Sequence, residues 1–243
     1  MALGLTSVTF RKLNADEIIR LAVKAGCEVV EWGGDIHVTN KTKAKEVYQK
    51  CVDTGIKINS YGSYYRLLDS EQAEFERLCE ITNILSAKII RVWLGGKGSK
   101  FATKEYFERL ANEAQKIAAI ASKYDLTVAS EFHKGTYNDT AKSALRFLRH
   151  TACDNLKTYW QPEFSGKDIE NLTALIDETV VVHMFHWSKI GVRYSLKSGE
   201  TKIRQFLDIL KEHDYKGDMI LEFVKGDRSE NFLEDFNCLK QWY

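Results

Sequence analysis

Each thing this 243-residue sequence lacks removes a class of function. It has no excess charge of either sign: Lys and Arg total 35 against 34 for Asp and Glu, a net of +1. No basic run forms a stripe, so a nucleic-acid partner is not expected. None of the five cysteines (Cys27, Cys51, Cys79, Cys153, Cys238) belongs to a CxxC pair. An odd number of widely spaced thiols reads as reduced, buried side chains of a cytoplasmic protein. The opening MALGLTSVTFRKLNADE turns polar soon after its first ten residues, so a first strand is expected there and not a signal peptide or membrane span. No linker, internal repeat or low-complexity stretch interrupts the chain. No glycine-rich phosphate loop follows the first strand, which counts against an open, doubly wound nucleotide-binding sheet.

What remains is a chain with 44% hydrophobic and 28% charged residues, enough for a full core. Short apolar strands alternate with longer amphipathic helices. The strands are expected at Gly4–Phe10, Glu28–Gly33, Ile56–Gly62, Ala87–Gly95, Leu126–Phe132, Leu156–Gln161, Thr179–Trp187 and Asp218–Val224. Several are continuous β-branched or aromatic runs, as parallel strands buried on both faces require. Asn14-Ala15-Asp16-Glu17 opens the first helix and Gly26 stops it. Thr39 or Asn40 opens the second, which ends at Thr54-Gly55, and the others fall near Ser70–Ser86, Thr103–Tyr124, Thr140–Thr151, Lys167–Glu178, Thr201–His213 and Ser229–Trp242. Eight strand–helix units in about 250 residues predict a single-domain (β/α)8 TIM barrel over residues 1–243.

Chemistry in such a barrel sits at the C-terminal ends of the strands. There the sequence offers Glu131 and His133 after strand five, Gln161 after strand six, His183 and His186 on strand seven, and Glu222 on strand eight. A strand-end Glu can be a salt-bridged barrel residue, and a strand-end His a hydrogen-bonded core member. A Glu inside the apolar run MILEFV is different, because burying its charge unpaired costs on the order of several kcal/mol. With Glu131 and His183, it makes a site the better explanation. Oxygen and nitrogen donors in this mix suit a divalent ion such as Mn, Mg, Co or Zn. Trp32, Trp93, Trp160 and Trp187 all fall near strand C-termini, where an aromatic face can pack on the C–H face of a sugar or simply fill the rim.

The segments EWGGDIHV, RVWLGGKGS, SEFHKGTYNDT, VVHMFHW with RYSLKSG, and MILEF occur in this order along essentially the whole chain. In this the sequence resembles the sugar isomerase and epimerase group of xylose-isomerase-like TIM barrels, whose wider superfamily includes endonuclease IV-type repair enzymes. The resemblance implies a divalent metal held by Glu131, Gln161, His183 and Glu222, with Glu131 and Glu222 also moving protons. Epimerases of the group place Asp on strand six and His three residues later. Here those positions are Gln161 and Phe164, so the site loses one negative charge. By the same resemblance His37, His133, His186 and Arg193 line the substrate pocket, and the helical shell can pair into a homo-oligomer.

The implied function is a metal-dependent isomerase or epimerase of a sugar or sugar phosphate, working through an enediolate. Three alternatives stay open. One is dehydration of a keto-polyol. Another is metal-assisted hydrolysis, disfavoured because six histidines in all and a neutral Gln161 cannot supply a three-metal cluster. The last is a sugar-binding subunit without catalysis.

Overall fold

The computed structural model describes residues 1–188 and 190–243. Among them, eight parallel strands close into a barrel in chain order: β1 (Leu3–Thr6), β2 (Val29–Gly33), β3 (Lys57–Arg66), β4 (Ile89–Trp93), β5 (Thr127–Ser130), β6 (Leu156–Trp160), β7 (Thr179–Met184) and β8 (Asp218–Leu221). The pairing of β1 with β8 seals the sheet and excludes the open doubly wound arrangement. The helices that follow are α1 (Ala15–Ala25), α2 (Lys41–Thr54), α3 (Gln72–Ile84), α4 (Lys104–Ser122), α5 (Ala141–Thr151), α6 (Asp168–Leu175), α7 (Glu200–Glu212) and α8 (Ser229–Trp242). No helix among the described residues is long and apolar enough to cross a membrane.

Local chemistry accounts for the helix ends. In α1 the Asn14 side chain accepts the N–H of Glu17 at 3.1 Å while the Glu17 carboxylate accepts the N–H of Asn14 at 2.7 Å, a reciprocal capping box. Gly26 then takes φ 75°, which a side chain would resist, and its N–H reaches back to the Ala22 and Val23 carbonyls. Asn40, not Thr39, caps α2 by accepting the N–H of Lys43 at 3.0 Å. Phe107, Leu110, Ala114, Ile117 and Ala121 recur at helical spacing on the buried face of α4. A large apolar side chain buried this way stabilises the fold by about 1.5–3 kcal/mol.

Strand lengths differ from the sequence expectation in one consistent way. Most strands stop earlier, because the residues after the last ladder bond turn to form the rim. Ser7–Phe10 curls into a 3-10 turn instead of extending β1. The reverse holds for β3, which runs on to Arg66 past a register shift between Gly62 and Tyr65, with Tyr64 at φ 59°.

Inside the barrel the side chains stand in layers. Val29, Ala129, Tyr159, Val181 and Ile220 pack together, with Ile89 against them, as an apolar layer. Alternate residues of a strand face the same side, with two residues rising about 6.6 Å. The next inward positions are therefore Glu31, Arg91, Glu131, Gln161, His183 and Glu222. One pleat above an apolar layer lies a polar one, at the C-terminal end of the strands.

Candidate metal and active site

Each of these six residues is carried by a strand or by the residue just past it. Glu131 continues the β5 ladder through its N–H to the Val92 carbonyl at 2.9 Å. Glu222 continues β8 through its N–H to Met184 at 3.0 Å. The donor atoms of Glu131, His183 and Glu222 all lie within 4.8 Å of one another, and all three residues are buried. Both glutamates and the histidine of the expected ligand set are thus brought together.

Two neighbours that the sequence reading did not single out complete the cluster. Arg91 donates from Nη1 to Glu131 Oε2 at 2.7 Å, and its Nη2 lies 3.7 Å from Glu31 Oε1. Glu31 is fully buried. It accepts from the Thr6 hydroxyl at 3.0 Å, the Ser60 hydroxyl at 2.9 Å and the Tyr159 hydroxyl at 2.9 Å, and lies 3.4 Å from His183 Nε2. Gly62 makes room for the guanidinium, since a Cβ there would meet Arg91 Nη2 at 2.7 Å. The signal for both residues was present: a charge inside an apolar strand, EVVEWG and AKIIRVW, as with the Glu in MILEFV. The argument made for β8 holds equally on β2 and β4.

The electrostatics follow from these distances. Burial alone would raise the Glu31 carboxyl, but the Arg91 guanidinium and the His183 ring hold it well below the usual carboxylate range. Burial opposes charging of His183, yet Glu222 and Glu31 on its two sides raise it to about 10. Burial also lifts the Tyr159 hydroxyl well above its ordinary value, so it remains a donor to Glu31. The cluster sets three carboxylates against the Arg91 cation and one imidazole, an arrangement short of positive charge.

That donor set fits a divalent ion. His183 Nδ1 lies 3.3 Å from Glu222 Oε2 but is not aligned for a hydrogen bond, so this buried nitrogen has no hydrogen-bond partner among the described residues. Its Nε2 faces Glu31, and a carboxylate behind one ring nitrogen is the usual support for metal ligation by the other. Gln161 Oε1 is likewise buried and unpartnered. Glu131, His183 and Glu222, with Gln161 as a neutral fourth donor, are the residues suited to hold the ion. Binding it would release the His183 proton.

The four expected pocket residues separate. His133 stacks on Trp93 with ring centroids 4.8 Å apart. It helps line a cavity of about 440 Å³ that also includes Gln161, Glu163, Phe185 and Trp187. Arg193 lines a different cavity, of about 490 Å³, with Thr9 and Phe223; it pairs with Asp227 and lies over the Phe223 ring at 4.4 Å, where it ties the β7–α7 loop to the β8–α8 loop. His186 points away from the cluster. Its Nδ1 meets the Ser195 carbonyl at 3.0 Å and the Ser198 hydroxyl at 3.1 Å, and its ring packs where a Cβ on Gly199 would fall. His37 is also committed elsewhere, with Nδ1 3.0 Å from Ser7 Oγ and Nε2 3.0 Å from the Leu13 carbonyl, so neither nitrogen is left for a ligand. Both histidines pin loops, because short polar loops must satisfy their own backbone groups. Of the tryptophans, Trp93 and Trp187 stand at the mouth, while Trp32 and Trp160 are fully buried.

Comparison with known proteins agrees with the barrel fold. A family model described as xylose isomerase-like TIM barrel matches residues 19–242. A 3-dehydroshikimate dehydratase of Bacillus anthracis is 26% identical over 174 residues, 65% of this chain and 60% of that protein's length. The chain thus matches less than two thirds of this relative. Among solved structures, the probable 3-DHS dehydratase of Bacillus anthracis superposes with a TM-score of 0.81 at 19% identity, over 99% of both chains. A D-tagatose 3-epimerase-like protein gives 0.83 at 14% identity, over 100% of this chain and 97% of that one. A D-psicose 3-epimerase gives 0.79 at 17% identity, over 99% and 98%. At these identities the structural likeness speaks for the fold alone.

Proposed function

Since the chain belongs to the xylose isomerase-like TIM-barrel family, we propose that it is a metal-dependent isomerase or epimerase of a hydroxyketone sugar. The observation that carries this reading is the convergence of Glu131, His183 and Glu222 within 4.8 Å at the C-terminal end of the barrel. A divalent ion held there would polarise the substrate carbonyl and favour loss of the neighbouring C–H proton.

The residues around it divide the work. Glu222 has no aligned hydrogen-bond donor among the described residues and is free to take a proton from carbon. Glu131 has Oε2 committed to Arg91, which leaves its other oxygen to return a proton from a different direction. Positioned carboxylates of this kind contribute roughly 10²- to 10⁴-fold. Arg91 is a fixed buried cation close to the negative charge that builds on the substrate oxygens. Glu31 holds both Arg91 and His183 in place, and the Trp93 and Trp187 faces flank the entrance.

A second reading, dehydration of a keto-polyol, is supported by the 26% identity to a dehydratase. It shares the first step and differs only afterwards. An enediolate reprotonated on carbon gives an isomer or epimer, whereas one that expels a neighbouring hydroxyl gives an unsaturated ketone and water. Incubation of a panel of free and phosphorylated ketoses with Mn or Co in D2O, followed by NMR, separates them. Deuterium at the exchanged carbon of an intact sugar supports the isomerase. Loss of a hydroxyl with a new ultraviolet chromophore supports the dehydratase, and neither exchange nor dehydration with any substrate counts against both.

A further inference from the structure

The turn after β6 holds a second built feature that the ligand set does not use. It runs Gln161-Pro162-Glu163-Phe164 and is clamped by Asp168, whose Oδ1 accepts the N–H groups of Glu163 at 2.8 Å and Phe164 at 2.9 Å. Lys202 pairs with the other Asp168 oxygen. The clamp holds Phe164 at φ 52°, a conformation that a bulky residue keeps only when its surroundings enforce it, and such strain collects at ligand sites. Its effect is to set Glu163 in the wall of the 440 Å³ cavity, beside His133 and Gln161. Glu163 Oε1 is buried there without a hydrogen-bond partner among the described residues, and so is Nε1 of Trp187 in the same wall.

We infer that Glu163 is a specificity-determining residue that accepts a hydrogen bond from a hydroxyl of the substrate, selecting an uncharged polyol chain over one ending in phosphate or carboxylate. This rests on the reading of the cluster as a hydroxyketone site. A buried acceptor without a donor is costly until a donor arrives. A sugar hydroxyl supplies one and can at the same time accept from the Trp187 N–H. A phosphate offers acceptors and negative charge, which the half-buried Glu163 carboxylate repels. Among the described residues that line the cavity the one cation, Lys134, is exposed to solvent, so its charge is screened and does not reverse that preference.

Binding can be read without turnover, because Trp187 lines the cavity and its fluorescence reports occupancy. Titration of the Mg-loaded protein with D-fructose and with D-fructose 6-phosphate is expected to show the free sugar binding at least roughly tenfold more tightly. In Glu163→Leu, affinity for the free sugar falls about tenfold and the ratio between the two collapses. Glu163→Gln keeps an acceptor and removes the charge. It should keep most of the free-sugar affinity while improving that for the phosphate, a pattern that misfolding cannot produce. Tighter binding of the phosphate by the wild type, a ratio indifferent to Glu163, or no binding of either sugar overturns the inference. A Glu163-dependent ratio without deuterium exchange in any ketose would instead sink the isomerase reading and leave the inference standing. Exchange with a ratio indifferent to Glu163 would do the reverse.

Discussion

Two layers of the same barrel, one pleat apart, have opposite characters. The lower is apolar, built from Val29, Ile89, Ala129, Tyr159, Val181 and Ile220. The upper is Glu31, Arg91, Glu131, Gln161, His183 and Glu222, almost as deeply buried. Apart from Tyr159, whose hydroxyl reaches up to Glu31, the lower layer needs only volume and shape. The upper must satisfy charge, and it does so by linking three carboxylates through one guanidinium and one imidazole. A barrel core can therefore tolerate a buried charged layer only where each member has a partner, and a shortage of positive charge leaves room for an ion.

The largest expected effect comes from breaking the upper layer at the two carboxylates proposed to move protons. Glu222→Gln and Glu131→Gln, assayed at saturating metal, should each lower solvent exchange at the substrate carbon by at least about 10². Turnover per folded molecule that stays near wild type in both variants would move the active site elsewhere. Next comes Glu31→Leu, which leaves Arg91 buried beside an apolar side chain. Losing one partner of such a pair should cost about 3–5 kcal/mol in urea unfolding. Metal affinity should fall as well, by roughly 10- to 100-fold, because the support behind His183 is gone. Addition of Mn, Co or Mg at about a hundredfold excess over Kd should raise stability by roughly 2.7 kcal/mol. Gln161→Asp should tighten that binding if position 161 supplies a ligand. Thermal melts across a metal series check both.

A buried carboxylate without a cation sharpens the contrast. Asp235 on α8 accepts the Leu196 N–H at 2.8 Å and so anchors the chain after β7, but burial pushes its pKa up to about 6, opposite to Glu31. A carboxyl raised in the folded state costs stability when ionised. The cost is absent below about pH 4, develops as pH rises through about 6, and is complete above it. Asp235→Asn should therefore gain on the wild type by about 3 kcal/mol at pH 7.5 and by little at pH 4. Equal differences in melting temperature at the two pH values would refute this. The smallest effect belongs to the lower layer: Ile220→Val should cost about 0.5–1.5 kcal/mol and leave metal affinity untouched.

Much of this molecule was legible before any coordinates. The alternation of strands and helices, the capping box at Asn14 and Glu17, and the stop at Gly26 are local effects, and each appears in the fold where its residues place it. A closed parallel barrel puts chemistry at the strand C-termini, so Glu131, His183 and Glu222 could be named from their positions alone. The pocket residues were less legible, since a histidine in a loop looks the same whether its ring lines a cavity, as that of His133 does with Nδ1 2.6 Å from the Lys134 carbonyl, or is spent on neighbouring loops, as those of His37 and His186 are. Where strand ended and rim began was also beyond local pattern, as Ser7–Phe10 and Tyr64 show.

Sequence by itself determined the period of two that stacks a charge above an apolar residue on strand after strand, because the pleat is a property of the local backbone. Only the tertiary structure decided which charges meet. Glu31 and His183 are 152 positions apart in the chain and 3.4 Å apart in the barrel, because closure of β1 on β8 brings β2 and β7 to face one interior. No short-range rule couples residues at that separation, and the partners of a buried charge are set by the ring that the strands close.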